Sequence, residues 1–200
     1  KVNNRNLDSI LIHDPLLPLD KERWNITFNH LINLKKLKKI KNIGVSVYTT
    51  HELDKILHIF KPDIVQFPLN VFNQNFLKND YLKKLKIKHN IKFHARSVFL
   101  QGLLLQERSK IPKYFRAWTE AFDKWKKYLI VNKLSPLEAC AIFINNTKSI
   151  DKFVLGFDNL KQLNQFLNIK RSLKEKKLEF KNLAINDDNL LDPRFWPRNK

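Results

Sequence analysis

Glycine is scarce in this sequence. Only three of the 200 residues are glycine, Gly44, Gly102 and Gly156, and each lies in or beside a short apolar run. A chain so poor in glycine is expected to keep it where a side chain cannot be tolerated, at a turn or where the backbone lies close to a ligand or another element. The three glycines therefore predict where the working surface of the molecule lies.

Cysteine and long apolar runs are scarce as well. The single Cys140 can form neither an internal disulfide nor a Cys-based zinc cluster, and its apolar neighbours indicate a core position. The longest apolar runs, such as residues 100–105, fall far short of the ~20 residues that a membrane span requires, and no signal-peptide pattern opens the sequence. We therefore expect a cytoplasmic protein with no metal and no membrane partner. Methionine is absent even at position 1, so we expect the segment before Lys1 to have been removed or not captured.

Basic residues are abundant, with a formal net charge of +19 and a sequence pI near 10.0. They are mostly lysines spread over nearly all of the predicted helices, a pattern typical of solvated helix faces. Clustered arginines with interleaved aromatic residues are missing, which argues against a specific nucleic-acid partner.

Apolar runs of strand length alternate with longer segments of helical period. Two helix starts carry a capping box, one at Thr49 with Glu52 and one at Ser135 with Glu138. Strands are predicted at residues 9–12, 43–47, 63–67, 91–95 and 152–155, and helices at residues 20–39, 51–60, 80–89, 113–132, 136–146, 158–167 and 171–183, with a tail at residues 186–200.

Five strands that alternate with helices and show no hairpin signal predict an α/β fold with a parallel sheet. A (β/α)8 barrel builds its site at the carboxyl ends of its strands, whereas a doubly wound sheet uses one switch point and a glycine-rich turn, which is missing here. The barrel is favoured because every strand is expected to end in functional side chains or bare backbone, namely His13, Ser46, Gln66, Arg96 with Ser97, and Gly156.

Five segments of the sequence resemble, in order and spacing, the second half of an aldo-keto reductase. They are LDSILIHDP at residues 7–15, IGVS at 43–46, DIVQFPLN at 63–70, ARS and QGLL within 95–104, and LGF and QL within 155–163. The ending LLDPRFW is similar to the tail of a bacterial branch of that family. The resemblance implies an incomplete (β/α)8 TIM barrel with about five parallel strands, the fourth to the eighth, and their helices. Residues 1–183 would form this partial domain and residues 184–200 a C-terminal tail.

The resemblance implies an NAD(P)H-dependent oxidoreductase that reduces an aldehyde or ketone, a small-molecule carbonyl substrate, by hydride transfer. The family uses an Asp, Tyr, Lys and His tetrad, in which the Tyr donates the proton and the His polarises and orients the carbonyl. His13 matches the family's His. The other three groups belong to the missing strands, so this chain alone is expected to be inactive.

The resemblance also assigns the nicotinamide end of a cofactor site. Ser46 and Gln66 match positions that hold the nicotinamide carboxamide, which needs both a donor and an acceptor. Arg96 stands where relatives place a flat side chain against the ring. Asn70 and Trp196 are expected to line the substrate pocket.

The phosphate end of the cofactor is assigned to two further segments. The loop from Ser97 to Gly102 resembles the loop whose backbone amides cross the pyrophosphate. The strand-to-helix turn that matches the adenosine phosphate end contains Gly156, Phe157, Asn159 and Gln162.

Two departures from the family pattern bear on the cofactor. Val47 stands where many relatives have Asn, and Phe166 lies near a position that is often Asn at the adenine. The choice between NAD and NADP stays open, with NADP slightly favoured because Lys161 could reach a 2′-phosphate.

A second hypothesis comes from the open sheet itself. Five of eight strands cannot close, so the first and last strands would expose unpaired backbone groups and the inner face would be wet. A half-barrel of this kind could instead be a binding or regulatory module that assembles with itself or with another chain. The oligomeric state does not follow from the sequence.

Overall fold

A computed structural model describes residues 7–173 and 178–197 of the chain. Over these residues the strands are β1 (Leu7–Ile12), β2 (Ile40–Ser46), β3 (Ile64–Pro68), β4 (Lys92–Arg96) and β5 (Lys152–Phe153). The α-helices are α1 (Lys21–Lys36), α2 (Thr50–Leu57), α3 (Tyr81–His89), α4 (Thr119–Asn132), α5 (Pro136–Asn146), α6 (Leu160–Ser172) and α7 (Asp188–Leu191). Short 3-10 helices occur at Leu17–Leu19, Asn75–Asp80, Leu103–Leu105, Arg108–Lys110, Lys113–Trp118, Lys181–Leu183 and Pro193–Phe195.

The described strands form one parallel sheet in the order β1-β2-β3-β4-β5, so the predicted α/β fold with five parallel strands is confirmed. In the register, Ile12 pairs with Val45, Val45 pairs with Val65, and Ser46 pairs with Gln66. The fifth strand is shorter than predicted and ends at Phe153 rather than residue 155. Val154 is 47% exposed, so too little packs on this run to hold it in the sheet.

The chain divides into two compact units. The first contains residues 7–67, 76–95 and 149–152, and the second contains residues 68–75, 96–148 and the described residues from 153 onward. In the core of the first unit, the Phe67 ring stacks on Phe76 at 4.0 Å and meets Phe93 edge-on at 6.1 Å. All three rings are fully buried, which is worth about 1.5–3 kcal/mol for each side chain.

The core of the second unit is also aromatic. Phe72 is fully buried and meets Phe122 at 5.6 Å and Trp125 at 6.4 Å, both edge-on. Cys140 has no exposed surface, which confirms the predicted core position. Because these apolar side chains fill the core, polar groups lie in the loops at the strand ends.

Both predicted capping boxes are present. The Thr49 hydroxyl accepts from the Glu52 amide at the start of α2, while the Glu52 carboxylate accepts from the Thr49 amide. Ser135 and Glu138 make the same reciprocal pair at the start of α5, with Pro136 at the first helical position, where a missing amide leaves no acceptor unsatisfied.

The helix predicted over residues 171–183 is wrong in the described part of that range. Helix α6 ends at Ser172 and Leu173 is extended, and among the described residues 178–183 the only helical geometry is a 3-10 turn at Lys181–Leu183. Phe180 explains the difference, because its buried ring packs on Tyr128 and Phe143, and side-chain contacts rather than a helix hold the segment. Residues 174–177 of this prediction lie outside the described residues.

The glycines differ in what they do. A Cβ on Gly44 would lie 2.6 Å from the Ile64 carbonyl oxygen, and Gly102 has a φ of +86°, so both positions require glycine. At Gly156, however, an added Cβ would meet nothing within 4 Å, and the φ lies outside the left-handed region. The prediction that Gly156 excludes a side chain is therefore wrong.

No helix within residues 7–173 and 178–197 is both long enough and apolar enough to cross a membrane.

Candidate functional site

Three of the predicted site residues follow successive strands of the first unit. His13 comes directly after β1, Ser46 is the last residue of β2, and Gln66 lies in the middle of β3, two residues before its end rather than at the end as expected. Ser46 and Gln66 are register partners, and paired residues of neighbouring parallel strands project from the same face of a sheet. The hydroxyl and the amide are thus neighbours.

These three residues differ in exposure. His13 is exposed, Gln66 is half-buried, and Ser46 is 5% exposed. Val47, the departure from the family pattern, has no exposed surface, and its amide donates to the Gln66 carbonyl oxygen at 2.9 Å. The valine extends the pairing of β2 with β3 past Ser46 and so fixes the backbone on which Ser46 and Gln66 stand.

In the second unit, the loop from Ser97 to Gly102 has an unusual backbone. Four of its residues have positive φ angles: Ser97 at 57°, Leu100 at 46°, Gln101 at 52° and Gly102 at 86°. Left-handed residues next to right-handed ones turn successive backbone amides toward one side and create concavities that favour anions.

Part of the hydrogen bonding of this loop is internal. The Leu100 amide donates to the Ser97 carbonyl oxygen, and the Gly102 amide donates to the Phe99 carbonyl oxygen, both at 2.9 Å. Among the described residues, the amides of Val98 and Phe99 have no hydrogen-bond acceptor. They are available to a ligand with anionic oxygens.

The turn before α6 holds the other predicted phosphate-end residues. The Asn159 side chain accepts from the Gln162 amide at 3.0 Å, and the Gln162 side chain accepts from the Asp158 amide at 2.9 Å. Asn159 and Gln162 therefore shape the first turn of the helix with their side chains. The helix begins at Leu160, so its positive dipole end lies at this turn.

Three phenylalanines bring the loop and the turn together. Phe99 lies 6.3 Å from Phe157 and 6.2 Å from Phe166, and Phe157 lies 5.6 Å from Phe166, measured between ring centroids. Phe166 is 5% exposed, which accounts for an apolar residue where many relatives have Asn. Phe99 was not among the site residues predicted from the sequence. Its position as an aromatic residue in the short loop between Arg96 and Gly102 was the signal that could have indicated its packing.

Asn70 and Arg96 also lie in the second unit. Asn70 is fully buried, and its side chain bonds to the backbone of its own turn and to the Ser97 carbonyl oxygen. Arg96 is the last residue of β4 and is half-buried, and its Nη1 donates to the Ser97 hydroxyl at 3.4 Å.

Trp196 belongs to the C-terminal segment of the second unit. Its Nε1 donates to the Leu190 carbonyl oxygen at 3.1 Å, and its ring meets Phe115 at 4.7 Å. The indole is half-buried and held in place by both contacts.

Two hollows occur in the second unit. The larger, of about 580 Å³, lies between residues 106–111 and α4, with Ile111, Phe122 and Trp125 among its walls. The other lies between residues 117–124 and residues 182–185. None of the predicted site residues lines either hollow.

In the part of the chain that the structure describes, no three His, Cys, Asp or Glu side chains form a group that could hold a metal ion.

Comparisons with known proteins agree with this architecture. The aldo/keto reductase family model matches residues 1–182. The fold resembles that of aldo-keto reductase AKR11C1 from Bacillus halodurans in its holo form, with a TM-score of 0.64, 13% identity, and coverage of 88% of this chain and 57% of that chain. It also resembles the thermostable aldo-keto reductase Tm1743 in complex with the inhibitor epalrestat (TM-score 0.59, 16% identity, 92% and 59% coverage).

A third similar structure is that of a Gox0644 mutant in complex with NADPH, with a TM-score of 0.58, 19% identity, and coverage of 89% of this chain and 59% of that chain. None of the curated proteins matches the chain. The chain thus spans about three-fifths of the length of these solved structures. The match of the family model over most of its residues shows that it belongs to the aldo/keto reductase family.

Proposed function

We propose that the chain is part of a cytoplasmic NAD(P)H-dependent oxidoreductase that reduces an aldehyde or ketone by hydride transfer. Its own residues supply the cofactor-binding surface and His13, while the Asp, Tyr and Lys of the family's tetrad come from polypeptide outside these 200 residues. The chain alone is then inactive but able to bind the cofactor.

The observation that carries this proposal is the Phe99, Phe157 and Phe166 cluster. It brings a loop with unbonded amides beside the start of a 13-residue helix. Backbone amides and a helix N-terminus are the groups that bind phosphate oxygens without a specific side chain. The second unit therefore fits the diphosphate of a dinucleotide.

In this proposal the nicotinamide end lies with Ser46 and Gln66. A carboxamide presents one donor and one acceptor group, and the Gln66 amide and the Ser46 hydroxyl can satisfy both. Such fixed hydrogen bonds present one face of the ring to the substrate. The bound nicotinamide supplies the hydride.

His13 acts on the substrate. An imidazole N–H can donate to the carbonyl oxygen of an aldehyde or ketone and so polarise it. His13 is exposed and so can be reached by a substrate. Asp14 shapes the segment after His13, because its carboxylate accepts from the Leu16 amide at 2.9 Å.

The first experiment measures cofactor binding by the chain as it is. Titration with NADPH and with NADH is followed by quenching of the tryptophan fluorescence. We expect saturable binding, weakened about tenfold by Gln66→Ala because a partnered buried amide contributes on the order of 1–1.5 kcal/mol. Gln106→Ala, in a loop that lines the larger hollow, is the control and should leave both affinities unchanged.

Lys161→Ala tests the cofactor choice. Removing a lysine that reaches the 2′-phosphate should weaken NADPH binding and leave NADH binding unaltered. An equal loss of affinity for NADPH and for NADH would contradict a role of Lys161 in the choice between the two cofactors.

Turnover is tested on a longer chain that carries the other three tetrad groups. We expect NADPH oxidation with some members of a panel of aldehydes and ketones, and a large loss with His13→Ala. Absence of cofactor binding by this chain together with absence of turnover by the longer chain would refute the proposal.

The exposed first strand favours a second candidate function, a half-barrel that assembles with itself or with another chain. Leu7 is 39% exposed, and Ile10 and Leu11 are half-buried along β1. Size-exclusion chromatography with light scattering separates the two ideas, because a stable dimer that binds neither cofactor would support assembly and a monomer that binds NADPH would oppose it.

A further inference from the structure

Asn70 has no exposed surface and uses both its side-chain oxygen and its side-chain nitrogen in hydrogen bonds. The side-chain oxygen accepts from the Phe72 amide at 3.0 Å and from the Asn73 amide at 2.9 Å. The side-chain nitrogen donates to the Ser97 carbonyl oxygen at 3.0 Å. One side chain thus joins its own turn to the first residue of the loop from Ser97 to Gly102.

Asn70 donates to the Ser97 carbonyl oxygen, and the same oxygen closes the turn at the start of the loop. The Ser97 carbonyl oxygen also accepts from the Leu100 amide, so both of its lone pairs are used. Ser97 is in the left-handed region, which a residue with a side chain seldom adopts unless its surroundings fix it. A bond from a fully buried donor is a constraint of that kind.

The turn that carries Asn70 is itself firmly attached. The Gln74 side chain donates to the Val71 and Phe180 carbonyl oxygens, each at 2.8 Å, and the Ile185 amide donates to the Phe72 carbonyl oxygen at 2.8 Å. The turn that carries Asn70 is therefore fixed, so the Asn70 side chain can hold the loop in place instead of moving with the loop.

We infer that Asn70 is a positioning residue that holds the loop from Ser97 to Gly102 in its left-handed conformation, with the amides of Val98 and Phe99 free for the cofactor phosphates. The consequence for the cofactor rests on the proposed function, whereas the hold on the loop does not. In this role Asn70 acts on the cofactor through the loop and not by direct contact.

The test compares Asn70→Ser with Asn73→Ser. A serine hydroxyl can accept from the turn amides as the Asn oxygen does, but it is too short to reach Ser97. Asn73 is a matched control because it is a buried asparagine in the same turn whose side chain, among the described residues, accepts only from the Asn75 amide, at 3.4 Å. Asn70→Asp is the second variant if Asn70→Ser does not fold.

Two readouts are needed. Amide hydrogen exchange of Leu100 and Gly102, whose amides are bonded within the loop, is measured against α5 as an internal reference and reports the order of the loop. Fluorescence titration with NADPH reports whether the loop binds the cofactor. For Asn70→Ser we expect exchange about tenfold faster in the loop, unchanged exchange in α5 and NADPH binding about tenfold weaker, as expected for the loss of one buried hydrogen bond. Asn73→Ser should change neither readout.

Each outcome decides a different point. Unchanged loop exchange in Asn70→Ser would overturn the positioning role, as would equal effects of the two variants. Faster exchange with unchanged NADPH affinity would overturn its consequence for the cofactor. If the unaltered chain binds no NADPH and the longer chain shows no turnover, the proposed function fails, and the exchange data alone still decide whether Asn70 holds the loop.

Discussion

Asp63 and Ile43 are joined by a ring of two hydrogen bonds. The Asp63 amide donates to the Ile43 carbonyl oxygen at 2.8 Å, and the Ile43 amide donates back to the Asp63 carboxylate at 2.8 Å. The Lys35 ammonium at the end of α1 completes the arrangement, 2.6 Å from the same carboxylate. The residue before β3 thus fixes the register of β3 against β2.

The same arrangement recurs in the first unit between Asp151 and Phe93. The Asp151 amide donates to the Phe93 carbonyl oxygen at 2.9 Å, and the Phe93 amide donates to the Asp151 carboxylate at 2.8 Å. Lys86 lies 2.7 Å from that carboxylate. Two aspartates therefore act as register locks at the amino-terminal ends of β3 and β5.

We predict that Asp63→Ala lowers the free energy of unfolding by about 2 kcal/mol, because it leaves the Ile43 amide without its acceptor and Lys35 without its partner. The lysine contributes little of this, since it is 38% exposed. Urea unfolding measures the change. Glu120→Ala removes an exposed pair with Lys124 and should leave the urea midpoint almost unchanged, and equal shifts in the two variants would contradict the register lock.

The acid stability of the chain should depend on Asp151. Partial burial raises the pKa of its carboxyl, but the hydrogen bonds from Lys86 and from the Phe93 amide outweigh burial and lower the pKa below its ordinary value of 3.8. The folded state thus binds this proton less readily than the unfolded state does. The stabilisation is present above the unfolded pKa and is lost as the pH falls through the folded pKa.

For Asp151→Asn we therefore expect a stability deficit at pH 7 that shrinks steadily below about pH 4. Urea midpoints of both proteins between pH 7 and pH 2.5 provide the measurement. A deficit that stays constant over this range would show that the carboxyl charge contributes nothing.

Gly44 and Gly156 should respond oppositely to alanine. A Cβ at Gly44 would lie 2.6 Å from a backbone oxygen, so we expect Gly44→Ala to cost more than about 2 kcal/mol or to prevent folding. Gly156→Ala meets open space and should change stability by less than about 1 kcal/mol, in the stabilising direction if at all. Thermal unfolding of both variants tests the contrast, and a larger loss at Gly156 would contradict it.

Cys140 should be inert in the folded chain. Burial raises the pKa of its thiol to about 12, so almost no thiolate exists at pH 8, and the sulfur is inaccessible to reagents. Iodoacetamide at pH 8 should modify it only when urea is added, as mass spectrometry can show. Rapid labelling of the folded chain would mean that α5 opens far more often than its packing allows.

The sequence predicted the structure best where a local sequence pattern is compatible with one structure only. The capping pairs Thr49 with Glu52 and Ser135 with Glu138 came out as predicted, because a helix start offers few acceptors other than those side chains. The alternation of strands and helices likewise yielded the parallel sheet. The start of α3 was displaced by only one residue, and Asp80 there is left-handed.

Where tertiary contacts decide, the sequence was less informative. Nothing local distinguishes Phe180, whose ring is held by Tyr128 and Phe143, from a residue of a regular helix. The left-handed angles of Ser97 and Leu100 are equally hidden, because neither residue type favours them. The roles assigned to the site residues remain predictions, although Phe99 shows how two of the predicted segments meet.

The order β1-β2-β3-β4-β5 has a consequence for how the molecule is made. Each of β2 to β5 pairs with the strand that left the ribosome just before it, so these strands can add to one side of the sheet in the order of their synthesis. The aspartate locks of Asp63 and Asp151 precede their strands in the chain, and each can therefore set the alignment before the strand behind it emerges.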